Sequence, residues 1–384
     1  MSHSSSAESG ISPDEWRDYL PFMVSIINDQ SPAWQPDWDE DDFLTACKIH
    51  GVAAIISTRT DRQGLEFPQS VAEELREVVE SLKVFELLHR EQLQILFERF
   101  AADSIEFIVL KGSALAYSVF PEPWMRARGD TDLIISESDR LKADGILIDL
   151  GYEPQVVSSV DLLSYQQIYA MTDRYGYGHI IDIHWRINNR HAFASAFSWQ
   201  DLQRNTALIP ALWPGARTMN TPYQLLSLCL HRVGHFTFST FDELLTERRD
   251  RLLWLYDIVL VCRELDTTAW QQFGELCRAK QLSAVAVDSI DAAAACFPFE
   301  FPGTIRSALV EAGHKDRSRR LLKGGFINAL ISDLGALPGW QDKAGLVKEH
   351  LLPPAEYLLA RYEKQSRLWL PLLYIRRLIG YFAP

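Results

Sequence analysis

Cysteine is scarce in this chain: five cysteines, an odd number, are scattered along 384 residues. No Cys-x-x-Cys pair occurs, so neither a disulfide framework nor a structural zinc motif is indicated. The longest apolar runs, around Asp257, are too short and too interrupted to span a bilayer. These absences favour a reduced, cytoplasmic protein without a transmembrane segment.

The chain also lacks an excess of positive charge. Its formal net charge is −13 at pH 7, whereas proteins that bind nucleic acid mainly through phosphates need clustered cations. DNA binding is therefore not expected, although a local basic groove is compatible with this composition. The polar stretch MSHSSSAESG has no apolar signal core, and it predicts a disordered leader over residues 1–12.

Glycine and proline are absent from the stretch SVAEELREVVESLKVFELLHREQLQILFERFAAD. Its apolar residues recur at three- and four-residue spacings, which predicts helix, and residues 14–101 as a whole read as helical. Short apolar runs at 106–110, 130–135 and 179–185 then predict strands within an α/β unit. After Pro222 the helical period returns, with Thr267-Thr268 as a predicted N-cap.

These patterns predict an α+β fold in which a sheet-containing core is flanked by helical regions. We assign residues 13–104 to an N-terminal helical region, 105–220 to the α/β core and 221–384 to a C-terminal helical domain.

Two aspartates open the second predicted strand, in the sequence RGDTDLIIS. Residues two apart on a strand point to the same face, so Asp130 and Asp132 would project together. Such like charges repel unless a cation neutralises them. Asp182, in IIDIHW, adds a third carboxylate if the two strands are neighbours, and three carboxylates can hold two metal ions for phosphoryl transfer. The structural alternative is a turn or cap at Asp-Thr-Asp with Asp182 on the surface.

The aspartates follow a strand, a Gly112-Ser113 pair and a helix, in that order. A Gly-Ser pair at a helix start exposes backbone N–H groups and a hydroxyl to a phosphate. Glycine also lets a phosphate chain approach the backbone closely.

This order of motifs resembles the nucleotidyltransferase superfamily, in which a Gly-Gly or Gly-Ser pair precedes Asp-x-Asp and a third acidic residue on a later strand. More narrowly, the chain is similar to an uncharacterised group of bacterial nucleotidyltransferase family proteins. The similarity is carried by LKGSALA, FPEPWMRARGDTDLII, IDIHW, HRVGH and RLLWLYDI.

The resemblance implies a nucleotidyltransferase-type mixed sheet and a reaction that depends on Mg²⁺ (or Mn²⁺). A nucleoside monophosphate would pass from an NTP, such as ATP, to a hydroxyl or phosphate, with release of pyrophosphate. Asp130, Asp132 and Asp182 would bind metal and carry the catalysis. Gly112 and Ser113 would contact the β- and γ-phosphates.

Two further residues flank these motifs, and a third lies between the two aspartates. Lys111 and Arg126 either contact the phosphates or form solvated surface charges, and Arg126 also belongs to the family segment. Thr131 stands where the superfamily usually has a hydrophobic residue, and we expect it to face away from the metal.

Histidines raise a separate set of possibilities. His184 shares a strand face with Asp182, so it contacts the acceptor, orders a water molecule or forms a structural hydrogen bond. His231 and His235 lie one helical turn apart, a zinc-ligand spacing without a third ligand. We expect a polar seam between the helical and catalytic parts there, in which a histidine can pair with the buried Asp257.

The sequence leaves the acceptor open as a small molecule, a peptide or an RNA. A toxin-like enzyme that modifies RNA or a tRNA end, and a non-catalytic nucleotide-binding protein of the same fold, are the alternatives. The amphipathic C-terminal segment SRLWLPLLYIRRLIGYFAP either packs on the helical domain or lies on a membrane surface.

Overall fold

The structure is a computed structural model. It describes residues 19–155, 165–237, 250–362, 364 and 366–382. The predicted leader lies outside the described residues. Within them the chain has the predicted α+β architecture, a mixed five-stranded sheet with helices before and after it.

Strands form one main sheet and one small ribbon. They are β1 (Phe107–Val109), β2 (Thr131–Ile135), β3 (Glu153–Pro154), β4 (Gln166–Thr172), β5 (Gly178–His184), β6 (Thr206–Leu208) and β7 (Arg217–Met219). The main sheet has the order β1-β2-β5-β4-β3. Strands β2 and β5 run parallel, and all other neighbours, including β6 and β7, are antiparallel.

Helices make up most of the remainder. They are α1 (Tyr19–Ile27), α2 (Glu40–His50), α3 (Ala53–Gln63), α4 (Gln69–Ala102), α5 (Lys111–Ser118), α6 (Arg140–Asp149), α7 (His191–Ala194), α8 (Trp199–Arg204), α9 (Thr221–Thr237), α10 (Leu252–Arg263), α11 (Thr267–Lys280), α12 (Ser283–Cys296), α13 (Gly303–Gly313), α14 (Phe326–Ala336), α15 (Trp340–Leu351), α16 (Ala355–Arg361) and α17 (Leu370–Phe382). Short 3-10 turns lie at Pro123–Met125, Glu137–Asp139, Arg317–Lys323 and Arg367–Trp369.

The predicted N-terminal helical stretch is divided into four helices, α1 to α4. Gly51 and Gly64 end α2 and α3 in the left-handed region, at φ 72° and 63°, a conformation that favours glycine. The predicted N-cap of α11 is wrong by one residue, because Asp266 rather than a threonine accepts the hydrogen bond of Ala269 N–H.

Sequence reasoning missed β4, which forms a hairpin with β5. The signal was the turn after QIYAMT, where Asp173 Oδ1 accepts the N–H groups of Tyr175 and Tyr177 and Gly176 has a φ of 87°. This hairpin places β5 in the middle of the sheet.

The two faces of the sheet differ in chemistry. Leu133 and Ile135 of β2, and Ile181 and Ile183 of β5, pack with α4 and α6 in one apolar core. A second core joins Ile134 to the N-terminal helices and to the helices after residue 221. The N- and C-terminal helical segments therefore share one core, while the proposed domain boundaries stay a prediction.

The C-terminal helix α17 packs through one of its faces. Leu373 is 3% exposed, and the Tyr374 hydroxyl donates to Pro353 O at 2.8 Å. Leu372 and Ile375 remain more than half exposed. Along the described part of the chain, no helix combines the length and apolar character needed to cross a membrane.

A chain of buried hydrogen bonds runs behind β2, on the side of α4. Thr131 Oγ1 lies 2.7 Å from both His89 Nε2 and Ser113 Oγ, and His89 Nδ1 lies 3.1 Å from His179 Nδ1. His179 Nε2 in turn lies 3.0 Å from Asp173 Oδ2. Thr131 thus faces α4, opposite the face that carries Asp132. Its hydrogen bonds with His89 and Ser113 explain why a polar residue occurs in this buried strand.

We expect Thr131→Val to lower the free energy of unfolding by about 1–3 kcal/mol, because two buried polar partners lose a hydrogen bond. Thr131→Ser retains the hydroxyl and is the matched control, which should lose much less. Urea unfolding measures both variants, and a valine variant as stable as the wild type would contradict the importance of this chain.

Candidate active site

A cleft of about 710 Å³ separates the sheet from the helices that follow residue 221. Its sheet side includes Asp130, Asp132 and Asp182, and its helical side includes residues of α9 and α10 such as His231 and Trp254. This size suits a small-molecule ligand.

The carboxylates meet because β2 and β5 are parallel neighbours. Asp132 is the direct partner of Asp182 in this register, and both side chains point to the cleft face of the sheet. They are 6% and 5% exposed. Together with His184 they offer ligand atoms within 4.8 Å of one another, a grouping that could hold a metal ion.

His184 bridges the two carboxylates. Its Nε2 lies 2.8 Å from Asp132 Oδ1 and 3.2 Å from Asp182 Oδ2. Burial alone would lower the pKa of His184, but the Asp182 carboxylate and the contact with Asp132 raise it to about 9. Without a metal ion the carboxylates thus favour the protonated imidazole, and the hydrogen-bonding role that sequence reasoning considered for His184 is present.

Asp182 retains one unsatisfied oxygen. Gln166 Nε2 donates to its Oδ2 at 2.8 Å, and Asn189 fixes the Gln166 amide through a 2.7 Å hydrogen bond. Asp182 Oδ1 is buried without a hydrogen-bond partner. Such an orphaned carboxylate oxygen is costly unless a ligand completes it.

Lys111 supplies the second cation beside the carboxylates. Its Nζ donates to Asp132 Oδ1 at 2.5 Å. Burial alone would raise the pKa of Asp132, but Lys111 and His184 hold it well below the ordinary range. The Lys111 backbone has a φ of 49°, an uncommon conformation for a residue with a side chain.

Asp130 lies apart from this buried group. It precedes β2, is exposed, and lines the same cleft, but it does not belong to the cluster of close ligand atoms. Desolvation is the largest cause of a raised pKa at Asp130, and the negative charge of Asp132 is the second. The three aspartates thus share one cleft, and Asp132 and Asp182 are the two that belong to the close group of ligand atoms.

Gly112 and Ser113 begin helix α5, as the sequence predicted, but they face different surroundings. Gly112 lines the cleft. The Ser113 side chain is buried, bonded to Thr131, and accepts from Arg128 Nε at 3.0 Å. The Ser113 hydroxyl is therefore engaged inside the protein, and of this pair Gly112 is the residue that lines the cleft.

Arg126 is held by the helical part of the protein. Its Nε and Nη2 donate to the two carboxylate oxygens of Asp257 at 2.9 and 2.8 Å, and the pair is buried. The expectation that a histidine pairs with Asp257 is wrong. Arg126 reaches it instead because the loop before β2 passes directly beside α10. Arg126 also lines the cleft.

Sequence reasoning assigned no role to Arg128, but its side chain is buried and forms an ion pair. Its Nη1 lies 2.8 Å from Glu86 Oε2, and the Tyr117 hydroxyl donates to the same carboxylate. No sequence signal marked Glu86, which lies 7% exposed on α4 amid charged helix-surface residues. This buried ion pair anchors the loop that carries Gly129 and Asp130.

His231 and His235 line the cleft from α9, as a polar surface between the helical and sheet-containing parts. The rings lie 4.5 Å apart, and both contact Trp254 of α10. Within the described ranges, the single group of three or more potential ligands is the one at Asp132, and it does not include these histidines.

Comparison with known families finds a match that includes the cleft. Residues 36–298, more than half of the chain, match the family described as "Uncharacterised nucleotidyltransferase". Every residue that lines the cleft falls within this range. A search of curated proteins returns no match.

We expect the Arg126–Asp257 pair to behave as a buried ion pair in stability measurements. Asp257→Leu should cost about 3–5 kcal/mol, because Arg126 is left buried and unpaired. The double variant Arg126→Met/Asp257→Leu should recover most of that loss in urea unfolding. If the double variant is at least as unstable as Asp257→Leu alone, the pair is not the source of the cost.

The raised pKa of His184 predicts a specific pH dependence for the metal-free protein. Its value of about 9 exceeds the ordinary 6.5, so this stabilisation is complete below pH about 6.5 and is lost as pH rises through about 9. The loss is on the order of 3 kcal/mol. Between pH 6 and pH 10 the free energy of unfolding should decline less steeply in His184→Gln than in the wild type. Parallel curves for the two proteins would show that His184 does not titrate in this range.

Proposed function

The chain belongs to the uncharacterised nucleotidyltransferase family, and on that premise we propose that it moves a nucleoside monophosphate from an NTP to a hydroxyl or phosphate acceptor. Pyrophosphate is the other product. The reaction depends on a divalent cation, Mg²⁺ or Mn²⁺. The acceptor lies in the cleft between the sheet and the helices after residue 221.

One observation carries this proposal: Asp132 and Asp182 are adjacent on parallel strands, and Asp182 Oδ1 is buried without a partner. A structural carboxylate pair would have its oxygens satisfied by protein donors. An open oxygen beside a second carboxylate, at the base of a cleft, is what a ligand-binding site requires.

The donor set fits a hard divalent cation. Carboxylate oxygens are the ligands that Mg²⁺ and Mn²⁺ prefer, and such sites keep places for water and substrate phosphates. Asp132 and Asp182 would hold the ion, with Asp130 available from the edge of the cleft. When bound, the cation neutralises charge on the phosphates and favours in-line displacement.

Lys111 has two functions in this proposal. Without a metal ion, its ammonium group neutralises Asp132 at 2.5 Å. Since a divalent cation supplies that neutralisation, Lys111 becomes available to the phosphates of the NTP. Gly112 and the first N–H groups of α5 add anion-binding donors and a favourable helix dipole.

All three nitrogens of Arg126 already donate hydrogen bonds. Its Nε and Nη2 already bind Asp257, and its Nη1 donates to Ala127 O at 2.6 Å. We therefore assign Arg126 mainly to fixing the loop, with its remaining N–H groups directed to the cleft.

The proton of an incoming hydroxyl needs an accessible base. Asp182 is buried and bonded to His184 and Gln166. Asp130 is exposed to the cleft, and its raised pKa makes it a better proton acceptor than an ordinary aspartate. We assign the metal to Asp132 and Asp182, and proton acceptance to Asp130.

We expect Asp132→Asn and Asp182→Asn each to lower the transfer rate by at least roughly 10²-fold, because the charge that binds the cation is reduced. The measurement is incorporation of label from each α-labelled NTP into cell-extract components with Mg²⁺. Asp149→Asn, on the surface end of α6, is the matched carboxylate control and should retain wild-type activity.

The same assay separates the alternatives. If ribonuclease degrades the labelled product, the acceptor is RNA and the reaction is RNA-directed. A melting-temperature rise with Mg²⁺ and an NTP, without any transfer, identifies a nucleotide-binding protein that lacks catalysis. No transfer and no stabilisation with any NTP would overturn the proposed function.

A further inference from the structure

Three flat rings on the helical side of the cleft have no role in the metal and phosphate chemistry. They are His231 and His235 on α9 and Trp254 on α10. All three line the cleft, opposite the carboxylates of β2 and β5. We refer to them as the ring cluster.

The rings are arranged as a supported platform. His235 is exposed, and its imidazole lies 4.6 Å from the Trp254 indole at an interplanar angle of 31°. His231 meets both rings edge-on, at 76° and 79°. The indole therefore packs against His235, His231 packs edge-on against both rings, and His235 itself lines the cleft.

The surroundings of both histidines favour their neutral forms. Desolvation, and then the positive charge of Lys111, lower the pKa of both histidines, that of His235 to about 4. Neutral imidazoles both donate and accept hydrogen bonds.

The ring cluster lies close to the phosphate end of the cleft. Helix α9 contacts α5, whose first residues are Lys111 and Gly112. The charge of Lys111 acts on both histidines. A ligand whose phosphates lie at the start of α5 would therefore bring its covalently attached base to α9. The acceptor must approach the reacting phosphorus opposite the leaving pyrophosphate, away from α5.

We propose that the ring cluster binds the nucleobase of the NTP, with the base stacked on His235 and its edge near His231. This inference rests on the proposed function and identifies its base subsite. Stacking tolerates any of the four bases, because each has a flat aromatic face. The subsite therefore supplies affinity more than base selectivity.

The test compares two ligands that share phosphates but differ in the base. Mg²⁺ complexes of the four NTPs and of inorganic tripolyphosphate are titrated calorimetrically into the full chain. His235→Ala should weaken NTP binding by roughly 5- to 100-fold, the range expected for one stacked base, and should leave tripolyphosphate binding within about two-fold. His235→Phe keeps a flat ring and should restore NTP binding.

His314→Ala, an exposed histidine at the end of α13 and outside the cleft, is the matched control. Trp254→Ala removes the support of His235 and should show the same ligand dependence as His235→Ala. Melting temperatures of all variants establish that each is folded.

Three results would overturn the base subsite. They are unchanged NTP binding in His235→Ala, an equal loss for NTP and tripolyphosphate, and failure of His235→Phe to restore binding. If the wild-type chain binds tripolyphosphate and binds no NTP more tightly than tripolyphosphate, the base subsite is also overturned. The proposed metal and phosphate site survives that result. Binding of neither ligand to the wild type removes the proposed function and the base subsite together.

Discussion

The structure depends on two carboxylates that lie side by side in the middle of a sheet. Asp132 and Asp182 are direct partners on parallel strands and are almost fully buried. Two carboxylates whose oxygens lie within 4.8 Å of each other repel strongly where water is excluded. Lys111 and His184 neutralise them from two directions, through contacts of 2.5 to 3.2 Å. The two carboxylates lie at the centre of the cleft's cationic side chains and hydrogen bonds.

The surrounding residues hold the carboxylates in a fixed arrangement. Gln166 and Asn189 position Asp182, and the buried pair of Arg128 with Glu86 anchors the loop before β2. These contacts leave two buried polar atoms beside the cleft without a hydrogen-bond partner, Asp182 Oδ1 and His184 Nδ1. A largely satisfied network that leaves open polar atoms at the carboxylates, Asp182 Oδ1 and His184 Nδ1, is the pattern expected of a preorganised site.

The helical part is joined to the sheet through the same region. Arg126, four residues before Asp130, forms its buried ion pair with Asp257 on α10, one helical turn after Trp254. One salt bridge therefore fixes the loop that carries Asp130 relative to the helix that carries a ring of the proposed base subsite. This connection explains how a sheet residue and a helical residue come to line one cleft.

The sequence by itself determined the local elements and the chemical character of the site. Alternation in IIDIHW and helical spacing after Pro222 identified β5 and α9 to α11, because those periods follow from backbone geometry. The motif order identified the family. The sequence did not show that Arg126 pairs with Asp257, or that the Ser113 hydroxyl turns away from the cleft. Those contacts join residues as far as 131 positions apart, and only the packing of helices against the sheet brings them together.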